Sequence, residues 1–523
     1  MKWKVASKKS DDLVEQLLIN RGIAKGNQEK FFNPKIVDYK ADLEIKGTDK
    51  APARIERATK SDKLIVIFGD YDVDGVCASA ILYKGLTSIG GKVLPYIPHR
   101  ELEGYGLSSK GLEFAKDSGA SVVITVDNGI VANEAAKYAK QLGLDLIITD
   151  HHVASEKLPD AYEIVHSTNM CGAGVAWCLI RKLIEKDLEK ELLQFVAIAT
   201  VCDLIPLINL GRAFVYEGLK ILNQTKNPGL LALILEAGIN SGNIGSYEIG
   251  YVIGPRINAI GRLEHAIDAL RLLCTKDPIR AGNLAKLLSE ANKKRQKITE
   301  SGLEIAKLLV KKENKIHVLA SEEWIPGIVG LIAGKITEEY YRPSIAISIQ
   351  KEISKASARS IEGVNIIKII REFADILVGV GGHPGAAGFS IKTADIKIFQ
   401  KRIEEYGLTL PDEEKILKID SEIKIQQITK SFVETLQKFQ PFGFKNPKPI
   451  LVINQVKASD IKTVGAGKHL KFKIDNVDAI AFNMGDMEKV INNQLINLAF
   501  TPEFNTFNGV EKIQLNVRDI KLN

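Results

Sequence analysis

Between Lys63 and Gly75 the chain reads KLIVIFGDYDVDG, an apolar run from Leu64 to Phe68 that leads straight into Asp70, Asp72 and Asp74. An unbroken apolar run between Lys63 and Gly69 suits a strand buried on both faces, as in a parallel sheet between helix layers. The acids then fall at the carboxyl end of that strand. Carboxylates this close repel one another and are costly to fold without countercharge, which points to divalent cations. Two plainer readings stand beside this one. Asp70-x-Asp72-x-Asp74-Gly75 matches the first half of an EF-hand calcium loop, but the closing position, which needs a bidentate Glu, is Ile81, and a strand rather than a helix comes first. A solvated acidic turn without any ligand is the commoner fate of an isolated triplet.

The triplet is not isolated. After Gly75 the pattern alternates: a helix to Gly90-Gly91, the strand KVLPYI, the helix SSKGLEFAKDSG, the strand SVVITV running into Asp127-Asn128-Gly129, the helix VANEAAKYAKQLG, and the strand LDLIIT running into Asp150-His151-His152. The strand YEIV, the helix VAWCLIRKLIEK and the mostly helical FVAIATVCDLIPL, which carries Asp203, follow. This βαβ repetition predicts a doubly wound parallel sheet. Separate strands ending in acids or histidines place those groups at the edge where open α/β sheets bind ligands. A single histidine is more often a satisfied core residue. Two adjacent ones beside further carboxylates favour a metal, and mixed Asp and His ligands suit manganese or magnesium better than zinc.

At 523 residues the chain exceeds what one core serves, so two to four domains are expected. A net charge of +7 is compatible with a polyanionic partner without requiring one. MKWKVASKKSDDLVEQLL has no apolar stretch ahead of a small-residue cleavage site, so neither export nor a membrane span is expected, and a cytoplasmic location is. Five cysteines without a CxxC pair read as reduced core residues.

Further on, Pro278 to about Lys312 reads as one long helix, with Leu284, Leu287, Leu288 and Ala291 on one face and Gly302 as a possible kink. Its Lys293-Lys294-Arg295 run is either a solvated face or the lining of a groove. The block from Ile316 to about Phe399 mixes strands with helices and contains SARS (Ser357 to Ser360) and GGHPGAAG (Gly381 to Gly388), the latter read as a Gly-rich loop in which His383 approaches a ligand or simply turns. Past Pro411 the period switches to two: Leu470, Phe472 and Ile474 alternate with Lys471 and Lys473, and Asn508-Gly509 signals a hairpin. A β-barrel or sandwich follows, whose strand lysines either bind an oligonucleotide or protect edges.

With DYDVDG, VDNG, DHH, CGAGVAW, VCDLIPL, GPRINAIGR, SARS, GGHPGAAG and PFGFKNPKP in that order, the chain resembles the RecJ-type single-stranded-DNA exonucleases of the DHH phosphoesterase superfamily over nearly its whole length. The resemblance implies an α/β protein in five parts: an N-terminal segment (1–50), a doubly wound parallel-sheet DHH domain (51–210), a connector with the long helix (211–312), an α/β DHH-associated domain (313–405) and a C-terminal OB-fold β-barrel (412–523). It implies two divalent cations, manganese or magnesium, held by Asp72, Asp74, Asp127, His151 and Asp203, with Asp127 bridging and Asp70 and His152 in support. It places substrate contacts at Arg100, Tyr105, Arg256, Asn258, Arg262, Ser357 and Arg359, and a catalytic role at His383. One departure shows: Ile325 stands where many relatives carry a His after the Trp.

The implied activity is 5′ to 3′ hydrolysis of single-stranded DNA to mononucleotides in recombination and repair. A monomer is expected, working with a single-strand-binding protein and a helicase. Two cations about 3.5 to 4 Å apart could activate water and stabilise both the attacking and leaving oxygens at phosphorus. Hydrolysis of short oligoribonucleotides, cyclic dinucleotides or pyrophosphate is a rival within the superfamily, and a non-catalytic scaffold on DNA is a rival outside enzymes. The barrel and long helix favour a polymer, and the intact acids favour catalysis.

Overall fold

The computed structural model describes every residue except 101, 102, 105, 508 and 509, and the side chain of 507. Tyr105 and the Asn508-Gly509 turn therefore lie outside the described residues. Two compact units emerge: residues 45–202 with 221–415, and residues 1–44 with 203–220 and 416–523. No helix among the described residues is long and apolar enough to cross a membrane.

Numbered along the chain after β1 (Lys2–Val5), the larger unit begins with β2 (Leu64–Phe68), β3 (Lys92–Tyr96), β4 (Ala120–Val126), β5 (Asp145–Asp150) and β6 (Glu163–His166). They form one parallel sheet in the order β3-β2-β4-β5-β6. Strand order reverses between β2 and β4, which opens a crevice at their carboxyl ends. Helices Ser109–Asp117 and Asn133–Gln141 bury Leu112, Ala115, Ala136 and Ala139 against Val66, Phe68 and Val123 on one face. Elsewhere in this layered core Val73–Ser88 packs on Gly172–Ile180, at a distance that only Gly85 permits: a Cβ there would sit 2.3 Å from Ile180 Cγ1.

In the connector the helix Pro278–Leu309 has 32 residues. Asp277 caps it, its side chain accepting from the Ile279 and Arg280 N–H groups. The helix is continuous through Gly302, whose missing side chain admits Ile332 rather than a kink; an added Cβ would lie 2.8 Å from Ile332 Cδ1. Lys293 and Lys294 are exposed, whereas Arg295 is half-buried, so the basic run divides between the two readings.

The second sheet of this unit comprises β7 (His317–Ser321), β8 (Ser344–Ser348), β9 (Ile353–Arg359), β10 (Leu377–His383) and β11 (Ala386–Lys392), in the order β10-β11-β9-β8-β7. Only β7 and β8 pair in parallel. GGHPGAAG is therefore not an open loop but the close of an antiparallel hairpin. Gly382 makes this possible: it sits at φ +147°, and a Cβ would meet the Ala386 carbonyl oxygen at 2.4 Å.

The smaller unit holds β1, which pairs in parallel with β12 (Ile416–Ile419), and β13 (Ser421–Glu422) to β18 (Val510–Leu522). β14 (Leu451–Val464), β15 (His469–Ile474), β16 (Val477–Ala481), β18 and β17 (Leu495–Phe507) are joined in that order, and β17 returns to β14 to close a barrel. Leu470, Phe472 and Ile474 fill its interior, as the period of two requires.

Candidate metal centre

The parallel sheet delivers its polar groups to one place because β2, β4 and β5 are neighbours that all end at the same edge. Beyond β2, Asp70 is buried, and Asp72 caps the following helix by accepting from the Gly75 N–H at 3.0 Å. Asp74, in the first turn of that helix, is buried and accepts from the N–H groups of Gly172 and Ala173 at 2.6 and 2.7 Å, at the start of helix Gly172–Ile180. That helix N-terminus favours a carboxylate. Beyond β4, Asp127 takes a left-handed backbone at φ +62°, which Asp tolerates better than most residues.

Beyond β5, His151 Nε2 lies 3.1 Å from Asp127 Oδ1 and 3.6 Å from Asp74 Oδ2. Single ligand atoms of Asp127, His151 and His152 fall within 4.8 Å of one another, and so do those of Asp70, Asp72 and Asp127. Asp127 belongs to both groups. Asp203 follows the last residue of helix Lys186–Cys202 and is counted with the smaller unit.

The electrostatics fit a cation. Burial, and then the neighbouring Asp72, raise Asp70 well above the carboxylate range and Asp74 to about 7, although the Gly172 and Ala173 amides pull Asp74 back. Burial and the adjacent His152 depress His151 to about 4, which keeps the imidazole neutral, the form that ligates metals. Buried carboxylates that resist joint ionisation, beside the neutral His151 imidazole, form the hard-oxygen and nitrogen donor set that manganese or magnesium takes.

Asp150 escaped the sequence reading as a site residue. Its Oδ1 accepts from the His151 and His152 N–H groups at 2.7 and 3.1 Å and meets His152 Nδ1 at 2.8 Å, while Oδ2 accepts from the Ile130 N–H at 2.9 Å. Burial alone would raise its pKa, but the His152 contact and these amides outweigh that and lower it. An acid directly before a histidine pair was the available signal.

A positive wall accompanies the acids. Arg262 is pushed down to about 10 by burial and then by the charges of Arg100, Arg295 and Arg359, with Asp72 partly offsetting them. Among the described residues none of these guanidiniums forms an ion pair with a carboxylate. Arg100 lies over the Tyr71 ring at 4.9 Å, Arg262 donates to the Gly327 carbonyl at 3.1 Å, and Arg359 donates to Ser357 Oγ at 2.9 Å and the Ala358 carbonyl at 2.8 Å. Arg295, from the basic run read as either a solvated face or a groove lining, donates to Asn292 Oδ1 at 2.9 Å. Asn258 serves the scaffold, its Oδ1 accepting from the Val73 N–H at 3.1 Å, and Arg256 is tied to Ser289 Oγ at 3.3 Å and the Val252 carbonyl at 2.8 Å. His383 is exposed at the β10–β11 turn, where Ala386 pairs with both it and Arg359.

Residues 64–200 match the family described as "DHH family, N-terminal domain", residues 313–407 the "DHHA1 domain", and residues 419–519 the "RecJ OB domain". The Single-stranded-DNA-specific exonuclease RecJ of Bacillus subtilis (strain 168) is 35% identical over 97% of this chain and 67% of its own length. The chain belongs to the RecJ family. A RecJ of Salmonella typhimurium is 28% identical over 97% of this chain and 95% of its own. The crystal structure of RecJ in complex with Mn2+ from Thermus thermophilus matches with a TM-score of 0.87 at 27% identity, covering 99% of this chain and 79% of that one. The crystal structure of exonuclease RecJ bound to manganese matches with a TM-score of 0.63 at 33% identity, covering 70% of this chain and 96% of that one.

Proposed function

We propose that this RecJ-family chain is a metal-dependent exonuclease specific for single-stranded DNA, acting 5′ to 3′ and releasing 5′-mononucleotides. The observation that carries this reading is the junction, at one sheet edge, of a buried Asp/His cluster with arginines that have no carboxylate partner among the described residues. Such a junction suits a phosphodiester between cations and guanidiniums. Two divalent cations, manganese or magnesium, held by Asp72, Asp74, Asp127, His151 and Asp203, would supply charge stabilisation at the attacking and leaving oxygens.

The chain's own groups do the rest. Asp70 and Asp150 hold the surrounding backbone, and Asp150 fixes the His152 tautomer by occupying Nδ1. Arg100, Arg262 and Arg295 draw in the strand through its phosphates, with Arg256 and Asn258 bracing that wall. Tyr105 is assigned a base-stacking role, indifferent to sequence. Arg359 and Ser357 receive the terminal 5′-phosphate, since a guanidinium beside a hydroxyl forms paired, charge-assisted bonds to phosphate oxygens. Its lack of an acidic partner among the described residues supports that role over a structural ion pair. His383, across β11 from Arg359, completes the phosphate-facing end of the DHH-associated domain (313–405), opposite the catalytic domain (51–210).

The proposed setting is recombination and repair, with the chain as a monomer beside a single-strand-binding protein and a helicase. End-labelled single strand, blunt duplex and RNA, each with manganese, magnesium or chelator, test the whole reading. Mononucleotides should appear from the single strand only with metal, and binding should weaken steeply with salt. Equal rates on blunt duplex would overturn strand specificity, and turnover in chelator would overturn the metal. On 5′-phosphorylated against 5′-hydroxyl strands, Arg359→Ala should lose the parent's preference for phosphate; full retention removes Arg359 from end recognition.

A further inference from the structure

Strand β7 is one of the two outer strands of its sheet, and a groove of about 370 Å³ runs along its free side. Its walls come from the end of helix Pro278–Leu309 and from helix Ile396–Gly407: Leu309 and Lys311 on one side, Lys397, Gln400, Lys401 and Glu404 on the other. The strand itself is the floor.

Parity decides which backbone groups face the groove. His317 donates its N–H to the Pro343 carbonyl at 2.9 Å, and Ser321 accepts from the Ile349 N–H at 3.0 Å, so odd-numbered residues spend their backbone groups on the β8 side. Val318 and Ala320 therefore turn theirs outward. Gln400 Nε2 takes the Val318 carbonyl at 3.2 Å. The Val318 N–H and both backbone groups of Ala320 have no partner among the described residues. An open row of this kind is what a further strand pairs with.

Charge states the occupant's chemistry. Lys311, Lys397 and Lys401 against Glu404 leave the groove net positive. Lys311 reaches Glu404 only at 3.8 Å and Lys401 reaches Glu405 only at 3.9 Å, and Lys397 forms no ion pair among the described residues. Within the lining, Leu309 at the helix end is 43% exposed and offers an apolar wall.

We propose that the free edge of β7 docks an extended acidic segment of a partner protein, which adds as a sixth strand with carboxylates toward Lys397 and Lys401 and apolar side chains toward Leu309. Backbone bonds to Val318 and Ala320 supply the pairing, and the lysines select against basic and neutral segments. The site is separate from the metal centre and leaves catalysis untouched.

The test uses the full chain and a labelled peptide of about ten residues alternating aspartate and valine, in fluorescence anisotropy with manganese present. Binding should occur, weaken by at least about tenfold in the double variant Lys397→Glu/Lys401→Glu, and weaken similarly in Ala320→Pro, which removes one outward N–H. Exonuclease rates on single-stranded DNA should stay unchanged in both variants. Peptide should also slow hydrogen exchange at the Val318 and Ala320 amides. Undiminished binding to the charge-reversal variant, equal affinity for a lysine–valine peptide, or no binding below about 1 mM would overturn the proposal. Displacement by oligo-dT would make the groove a nucleic-acid surface instead. Concentration-dependent dimerisation lost in Ala320→Pro would make the occupant a second copy of this chain, and would equally overturn it.

Discussion

At Asp127 one residue answers two demands. Its backbone sits at φ +62°, and its carboxylate belongs to both ligand groups. Asn tolerates the left-handed region nearly as well as Asp, so Asp127→Asn separates charge from conformation. Turnover on single-stranded DNA should fall by more than about 100-fold, circular dichroism should stay unchanged, and the thermal upshift with manganese should shrink. Near-normal cleavage under saturating manganese would sink the assignment. Asp150 is in neither group and acts through His152 and backbone, so its loss should be milder. Asp150→Asn should cost about 10- to 100-fold in manganese affinity while kcat at saturating manganese recovers. A loss that manganese cannot rescue would place Asp150 among the ligands.

Among the elements, helix Gly172–Ile180 matters through its first turn. A Cβ on Gly172 would meet Asp127 Cβ at 2.7 Å and Asp127 Oδ1 at 2.8 Å, and the same residue's N–H holds Asp74. Gly172→Ala should therefore displace two carboxylates at once and lower kcat by about 100-fold, as misplacement near 1 Å does, while the melting temperature measured without metal changes little. Unchanged kcat would show that the turn can yield. Strand β7 carries a different liability: the His317 ring is buried, and neither nitrogen has a hydrogen-bond partner among the described residues. Burial, and then the Arg342 charge, lower its pKa to about 4. The unfolded chain, titrating near 6.5, takes up the proton first, so this contribution to stability is whole above that pH and declines as pH falls toward 4. His317→Leu should flatten the parent's loss of urea midpoint between those values; an identical slope would clear His317 of the effect. These elements also mark how far the sequence could be read. Strands β2, β4 and β5 and their terminal acids were legible because periodicity and punctuation are local. The hairpin at Gly382 read as a loop because glycines carry no period. Arg295 read as an even choice, because exposure along a long helix depends on what packs beside it.

Across the whole molecule the chain leaves the smaller unit after Glu44, returns for residues 203–220 and returns again at Ile416. No local pattern announces that assembly, which is why the first 50 residues read as a separate segment although β1 pairs with β12. Arg212 ties the three passes together. It is 1% exposed, donates to the Phe31 carbonyl at 2.7 Å from the first pass, and to the Phe439 and Gln440 carbonyls at 2.9 and 2.6 Å from the third, with its guanidinium 4.0 Å from the Phe31 ring centre. Burial lowers its pKa to about 10, still far above neutrality, so it remains charged and the carbonyl dipoles are its countercharge. A charge held by buried carbonyls and an aromatic face is costly to bury and costlier to lose, since the Phe31 and Gln440 carbonyls then lose their Arg212 donor. Arg212→Met keeps much of the volume and removes the donors, and should destabilise the smaller unit by more than about 3 kcal/mol. Hydrogen exchange should show protection lost in residues 1–44 and 416–523, while manganese still stabilises residues 45–202. Equal loss of protection in both units would mean that they unfold as one, and that Arg212 supports the whole chain rather than the smaller unit alone.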